Sequence, residues 1–245
     1  MLKDALRVAE IFCSIQGEGP CIGVPAIFLR LSGCNFDCNW NVNGKVQHCD
    51  TRWARNEGKL MSIPEVVQEI YKIREQYPVS TLIVTGGEPT LQAEQLRILI
   101  TILRDRNDIT HIDIESNGTI PKYCVEQRKS MLSEWIGNFN HYIVSPKPQT
   151  KSKDLELLCR AAFPERFFFK FVCDDSKETN DWILKTIQPF INLMLPRENI
   201  FLMSAGTNAQ ELRERDKRTI EICKEANVRF SPRVHSYIWG LKKGV

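Results

Sequence analysis

The chain of 245 residues contains no apolar run long enough to span a bilayer. It also has almost no charge surplus, since 33 basic and 30 acidic residues leave a net charge of +3. A chain without a dominant sign gives no electrostatic reason to expect nucleic acid or a membrane as partner. Its first residues, MLKDALRVAEIFC, are too charged for a secretory signal, so a cytoplasmic location is expected. No low-complexity linker interrupts the sequence, and one domain over residues 1–245 is expected. The nine cysteines are an odd number, which argues against a full disulfide framework. In a reducing compartment, clustered thiols more often bind metal or do chemistry.

What is present is an ordinary globular composition, 42% apolar and 26% charged, with a strong alternation of elements. VAEIFC (8–13) and AIFLRL (26–31) read as the first strands. A helix is predicted over 63–77, capped by Ser62, then a strand over 80–89 that ends in a glycine turn. Further strands are predicted over 111–118, 141–147, 166–173, 199–206 and 228–232, with helices over 91–105, 152–162, 178–192 and 208–226. Repeated β-α units imply a parallel sheet with right-handed crossovers. Both an open doubly wound sheet and a TIM-type barrel fit, and in both the functional groups gather at the C-terminal ends of strands. TGGEP, ESNG and SPK follow strands directly.

The most unusual stretch is CNFDCNWNVNGKVQHCD (34–50). Cys34, Cys38 and Cys49 lie in a polar loop after AIFLRL. Three thiolates would leave one open position on an iron–sulfur cluster, which is usually held by four ligands. The alternative is a zinc site of Cys34, Cys38 and Cys49 with His48 or Asp50. Cys13, Cys21, Cys124, Cys159, Cys173 and Cys223 show no mutual spacing and are expected to be small buried hydrophobes.

IQGEG (15–19), VPAIFLRLSGCN (24–35), CDT (49–51), TGGEP (85–89), ESNGT (115–119), VSPK (144–147) and PRVHSYIWGLKKGV (232–245) occur in that order. Together they resemble the 7-carboxy-7-deazaguanine synthase family of the radical S-adenosylmethionine (SAM) superfamily, from about residue 8 onward. The resemblance implies an α/β fold, a partial TIM-type barrel of about six parallel strands. It implies a [4Fe-4S] cluster on Cys34, Cys38 and Cys49, SAM as cofactor, and Mg2+ on Thr51. The usual motif is C-x3-C-x-x-C, whereas here ten residues separate Cys38 from Cys49, as if eight were inserted. His48 takes the place of the aromatic residue that normally precedes the last cysteine beside adenine, and Trp40 is a candidate to supply that ring.

The same resemblance places Asp50, Gly86, Gly87, Glu88, Ser145, Pro146 and Lys147 around SAM, with Glu88 accepting from its ammonium group. Met203, Ser204, Ala205 and Gly206 would add backbone contacts. For the substrate, 6-carboxy-5,6,7,8-tetrahydropterin, it offers Ile15, Gln16, Gly17, Glu18, Thr85 and the tail carboxylate of Val245. Arg30 is a planar cation suited to a carboxylate. His235 is a candidate for the pocket or a structural histidine. Lys170 is a charge inside an apolar strand and needs a partner there. The implied reaction is a radical ring contraction to 7-carboxy-7-deazaguanine with loss of ammonia, fed by flavodoxin or ferredoxin in a homodimer. The tail 232–245 would close the pocket. A radical SAM glycyl-radical activase and a zinc-stabilised, non-catalytic binding module are the competing readings.

Overall fold

The computed structural model describes residues 4–127, 129–192 and 195–245. In chain order the elements are β1 (Ala5–Ile15), β2 (Pro25–Leu31), β3 (Asn39–Val42), β4 (Lys45–His48), β5 (Lys59–Ser62) and α1 (Ile63–Gln76). They continue with β6 (Thr81–Gly86), α2 (Ala93–Asp105), β7 (His111–Ser116), α3 (Lys122–Gln127), α4 (Lys129–Gly137), β8 (His141–Val144) and α5 (Ser152–Ala161). The last are β9 (Phe167–Cys173), α6 (Lys177–Asn192), β10 (Ile200–Ser204), α7 (Ala209–Ala226), β11 (Arg229–Phe230) and α8 (Val234–Trp239).

Nine strands form one sheet in the order β11-β10-β9-β8-β7-β6-β2-β1-β5. From β2 to β11 every neighbour is parallel, as the β-α alternation predicts. The sheet is larger than the expected six strands because β1 and β5 extend it with antiparallel pairs. The connection from β1 to β2 spans only residues 16–24, too short for the crossover that a parallel pair requires. Helix α1 starts at a capping box: Glu65 N–H donates to Ser62, and the Glu65 carboxylate accepts from the Ser62 N–H.

Strand parity divides the interior in two. Ile27, Leu29 and Leu31 of β2, Ile112 and Ile114 of β7, and Phe167, Phe169 and Phe171 of β9 join the large core under the helices. The alternate residues point to the concave side. There, Phe28 and Ile83 form one small apolar cluster, and Ile143, Phe168 and Phe201 form another. The next inward positions toward the C-terminal ends of the strands are polar: Arg30, Thr85, Glu115 and Lys170. Thus one apolar strand can carry a lysine without losing its place in the core.

Phe169 is fully buried in the large core, whereas Phe163 is 51% exposed. Phe169→Ala should destabilise the fold by about 3–5 kcal/mol in chemical denaturation. Phe163→Ala should change it by less than about 0.5 kcal/mol.

Candidate active site

The cluster loop begins where β2 ends. Cys34 and Cys38 precede β3, and Cys49 follows β4 directly. The inserted residues form an antiparallel hairpin, with Asn39 opposite His48 and Val42 opposite Lys45. Asn43 and Gly44 make its turn with φ of 53° and 71°, the pair of positive angles that a two-residue hairpin turn requires. A hairpin returns the chain to its starting point, and the Cys49 N–H donates to the Cys38 carbonyl at 3.0 Å. The insertion therefore leaves Cys49 beside Cys38. Asp174 and Asp175, at the end of β9, hold the hairpin by accepting from the N–H groups of Asn41 (2.8 Å) and Asn43 (2.7 Å).

The glycine turn after β6 is joined to the same loop. Gly87 N–H donates to the Leu31 carbonyl at 2.9 Å and Glu88 N–H to the Gly33 carbonyl at 2.7 Å. A Cβ at Gly87 would collide with the Gly33 carbonyl oxygen, so no larger residue fits. These N–H groups are engaged within the fold. Glu88 departs from expectation. It is completely buried and does not line the cavity. Its carboxylate accepts from Thr90 N–H (3.0 Å), Thr90 Oγ1 (2.7 Å), Ser116 Oγ (2.9 Å) and Asn117 N–H (2.6 Å). It clamps the turn after β6 to the turn after β7. Pro146 and Ser204 also lie off the cavity wall, and Ser204 is bonded to Thr219 at 2.8 Å in the core.

The other expected residues line one cavity. Cys34, Cys38, Cys49, Thr51, Trp40, His48, Asp50, Gly86, Gly87, Ser145, Lys147, Met203, Ala205 and Gly206 lie on its wall. Ile15, Gln16, Gly17, Glu18, Arg30, Thr85, Lys170, His235 and Val245 line it as well. Burial raises the Cys34 and Cys49 thiols above their ordinary pKa and pushes Cys38 up to about 11. The Lys147 ammonium donates to the Ser145 carbonyl at 2.7 Å and to Ser145 Oγ at 2.8 Å. Burial lowers its pKa, while Cys38 and Cys49 act to raise it. No carboxylate among the described residues pairs with Lys147, so its charge is left to act on the nearby thiols.

From Asp50, next to Cys49, a chain of buried charges runs through the cavity lining. Asp50 pairs with Arg233, and Arg233 Nε donates to Glu18 at 2.9 Å. Glu18 and Glu115 accept from Lys170 at 2.8 and 3.0 Å. Thr85 Oγ1 donates to Glu115 at 3.0 Å, and Gln16 Nε2 at 3.2 Å. Burial raises the Glu18 carboxyl, but Lys170 and Arg233 outweigh it and hold its pKa well below the usual glutamate range. The same pairs raise Lys170 and Arg233 despite burial. Burial lowers the His235 pKa, against the pull of Glu18. Arg30 is bound through Nε to Glu10 at 2.7 Å, and among the described residues neither terminal nitrogen has an acceptor.

Glu115 and Arg233 are central here, and the sequence reading assigned them no role. HIDIES carries polar residues at 111, 113 and 115, a period-two signal of one polar strand face. It is the same kind of signal that singled out Lys170. Arg233 gives no such signal, because its partners lie far along the chain. Asp50 pairs with Arg233 through one carboxylate oxygen and has the other beside the Cys49 thiol.

The radical SAM superfamily pattern matches residues 29–215. The chain is 30% identical to the 7-carboxy-7-deazaguanine synthase of Hyperthermus butylicus, over 96% of this chain and 93% of that one. It is 30% identical to the enzyme of that name from Aquifex aeolicus, over 96% and 97%. Among solved structures, QueE from Escherichia coli superposes with a TM-score of 0.61 at 21% identity, over 94% of this chain and 95% of that one, a likeness of fold. The chain belongs to the radical SAM superfamily. Within it, the chain is a member of the 7-carboxy-7-deazaguanine synthase family.

The residues fit the cofactors of that superfamily. Three thiols face one cavity, and Lys147, which has no carboxylate partner among the described residues, lines it with them. Two outcomes are expected. Cys49→Ala should reduce iron in the reconstituted protein from about four per chain to a small fraction, by iron assay. Lys170→Met should destabilise by about 3–5 kcal/mol at neutral pH. The depressed Glu18 stabilises the fold above its unfolded pKa, and this is lost as pH falls through its folded pKa. Without Lys170 that folded pKa rises, so acid unfolding should begin at higher pH, read by circular dichroism.

Proposed function

We propose that this chain is a radical SAM lyase that converts 6-carboxy-5,6,7,8-tetrahydropterin to 7-carboxy-7-deazaguanine with release of ammonia. The observation that carries the reading is the shared cavity. Three thiols, Lys147, Arg30, the buried charge chain and the C-terminal residues all line it. Cys34, Cys38 and Cys49 would hold the [4Fe-4S] cluster through three thiolates and leave one iron for the amino and carboxylate groups of SAM. When bound, cluster and SAM supply one-electron cleavage chemistry and a carbon radical for hydrogen abstraction. Lys147 would balance the negative charge of the thiolates or of the SAM carboxylate, a role its interaction with Cys38 and Cys49 supports. Trp40 and His48, on the hairpin, border the same wall and offer rings for the adenine.

The substrate carries a carboxylate at one end and a guanidine-like edge at the other. The free terminal nitrogens of Arg30 suit the carboxylate in a bidentate pair. In the charge chain, the three carboxylates of Asp50, Glu18 and Glu115 meet the two cations Lys170 and Arg233. With His235 neutral, one negative charge remains, which favours a donor-rich edge. The Thr51 hydroxyl, 3.4 Å from Cys49 Sγ, lies on the cavity wall where Mg2+ would meet the substrate. Such an ion needs few protein ligands. The tail from Gly240 to Val245 also lines the cavity and supports a role in excluding water.

The reading includes a single radical SAM domain over residues 1–245, a flavodoxin or ferredoxin as electron donor, a homodimer and a cytoplasmic location. The one continuous sheet from β11 to β5 supports the single domain. The motif resemblance supports the electron donor and the homodimer. No helix among the described residues is long and apolar enough to cross a membrane.

The reconstituted chain, given SAM, reductant, Mg2+ and the carboxypterin without oxygen, should yield 7-carboxy-7-deazaguanine and ammonia in equal amounts. Cleavage of SAM with no deazapurine would reject the substrate assignment. Arg30→Gln should raise KM about 10- to 100-fold, the worth of charged hydrogen bonds, with iron content unchanged.

A further inference from the structure

The concave side of the sheet has a second polar cluster, at the opposite end of the strands from the thiols. His111 and His141 are the first residues of β7 and β8. Asp113 follows on the same face of β7, and Cys21 reaches them from the loop between β1 and β2. Cys21 Sγ is 3.3 Å from His141 Nδ1 and 3.8 Å from His111 Nε2. Asp113 Oδ1 is 2.7 Å from His111 Nε2 and 3.2 Å from His141 Nδ1. All four ligand atoms lie within 4.8 Å of one another.

We propose that Cys21, His111, Asp113 and His141 form a structural zinc site. Zinc–nitrogen bonds of about 2.0–2.1 Å and a zinc–sulfur bond of about 2.3 Å put tetrahedral ligands roughly 3.3–3.6 Å apart, and the four distances above bracket that range. One thiolate, two imidazoles and one carboxylate are a borderline donor set that suits zinc rather than magnesium or calcium. The charges also balance: a thiolate and a carboxylate offset Zn2+, the imidazoles are neutral, and the thiol proton leaves to solvent. Asp113 is completely buried, and among the described residues no lysine or arginine pairs with it. The backbone N–H of His141 donates to Asp113 Oδ1 at 3.0 Å and helps to fix the carboxylate. Four protein ligands close the coordination sphere, which marks a structural ion, not a catalytic one.

The site is separate from the cluster cavity. Glu115 lies four residues beyond His111 on β7, about 13 Å along a strand. The apolar cluster of Ile143, Phe168 and Phe201 occupies the space between, with the His141 ring 5.0 Å from that of Phe168. Cys21 nevertheless sits three residues after Glu18, on the loop that brings Gln16 and Glu18 to the charge chain. The ion would staple that loop to β7 and β8 and so position Gln16 and Glu18. The assignment does not rest on the proposed reaction.

The test uses the full chain with its cluster assembled, exposed to Zn2+ and passed over a weak chelating resin. Elemental analysis should find about one zinc per chain beside the iron, and zinc K-edge absorption should show one sulfur and three nitrogen or oxygen ligands. Cys21→Ala and His141→Ala should lower zinc affinity at least about tenfold with iron unchanged, and Cys34→Ala should lose iron and keep zinc. Wild-type protein without zinc, two or more sulfurs around the metal, or zinc lost in Cys34→Ala would each overturn the site. The wild-type absorption spectrum decides the matter if the Cys21 and His141 variants do not fold.

Discussion

The run Asp50–Arg233–Glu18–Lys170–Glu115 ties together five parts of the chain that are distant in sequence. It links the cluster loop, the tail before α8, the loop between β1 and β2, and the middle of β9 and β7. Taking such groups out of water is expensive, and pairing in a less polar interior only roughly offsets the cost. A well-packed apolar set in the same place would serve stability as well or better. What the charges add is position: each one is held by a neighbour of opposite sign, so none can turn away without leaving a buried charge unpaired. A cavity built this way presents its polar groups already oriented, and little reorganisation is left for the moment of reaction.

That arrangement depends in turn on strand parity. In β9, Phe167, Phe169 and Phe171 bind the strand to the helical layer, while Phe168, Lys170 and Val172 face inward. The outward residues supply the burial, so the inward ones are free to be charged. β7 repeats the pattern, with Ile112 and Ile114 outward and His111, Asp113 and Glu115 inward. A one-residue slip of either strand would put its charges under the helices and its apolar residues in the cavity. The large outer core therefore sets the register of the small polar interior.

Much of this could be read from the residues alone. The β-α alternation, the helix start at Ser62 and the placement of the polar turns at strand ends depend on local signals, and the structure has them. Other features depend on contacts between distant segments. Glu88 follows two glycines and looks exposed, yet Thr90, Ser116 and Asn117 converge on it only after β6 and β7 pair. Cys21 has no spacing partner and reads as a small apolar residue, yet the fold sets it beside two histidines and an aspartate. The direction of β1 is hidden in loop length. The hairpin is read only as a polar loop, although Asn43-Gly44 between NWNV and KVQH is a strong turn signal. The unusual cysteine spacing masks it, because the motif invites counting along the chain rather than across the pair.

The hairpin also shows why the insertion can be accommodated. Between Cys38 and Cys49 an unstructured loop would carry its own closure entropy and leave the third thiol loosely placed. Paired strands avoid this, since the ladder fixes the distance between their ends whatever their length. Lengthening such an insert by one residue on each strand would keep Cys38 and Cys49 together, whereas adding one residue to a single strand would shift the register and turn one thiol away. The anchors at Asp174 and Asp175 limit the other direction, because they bind the backbone of Asn41 and Asn43 at the far end. The spacing is thus set by two constraints at once, the position of the thiols at one end and the end of β9 at the other. The hairpin that meets both also brings Trp40 and His48 to the cavity wall.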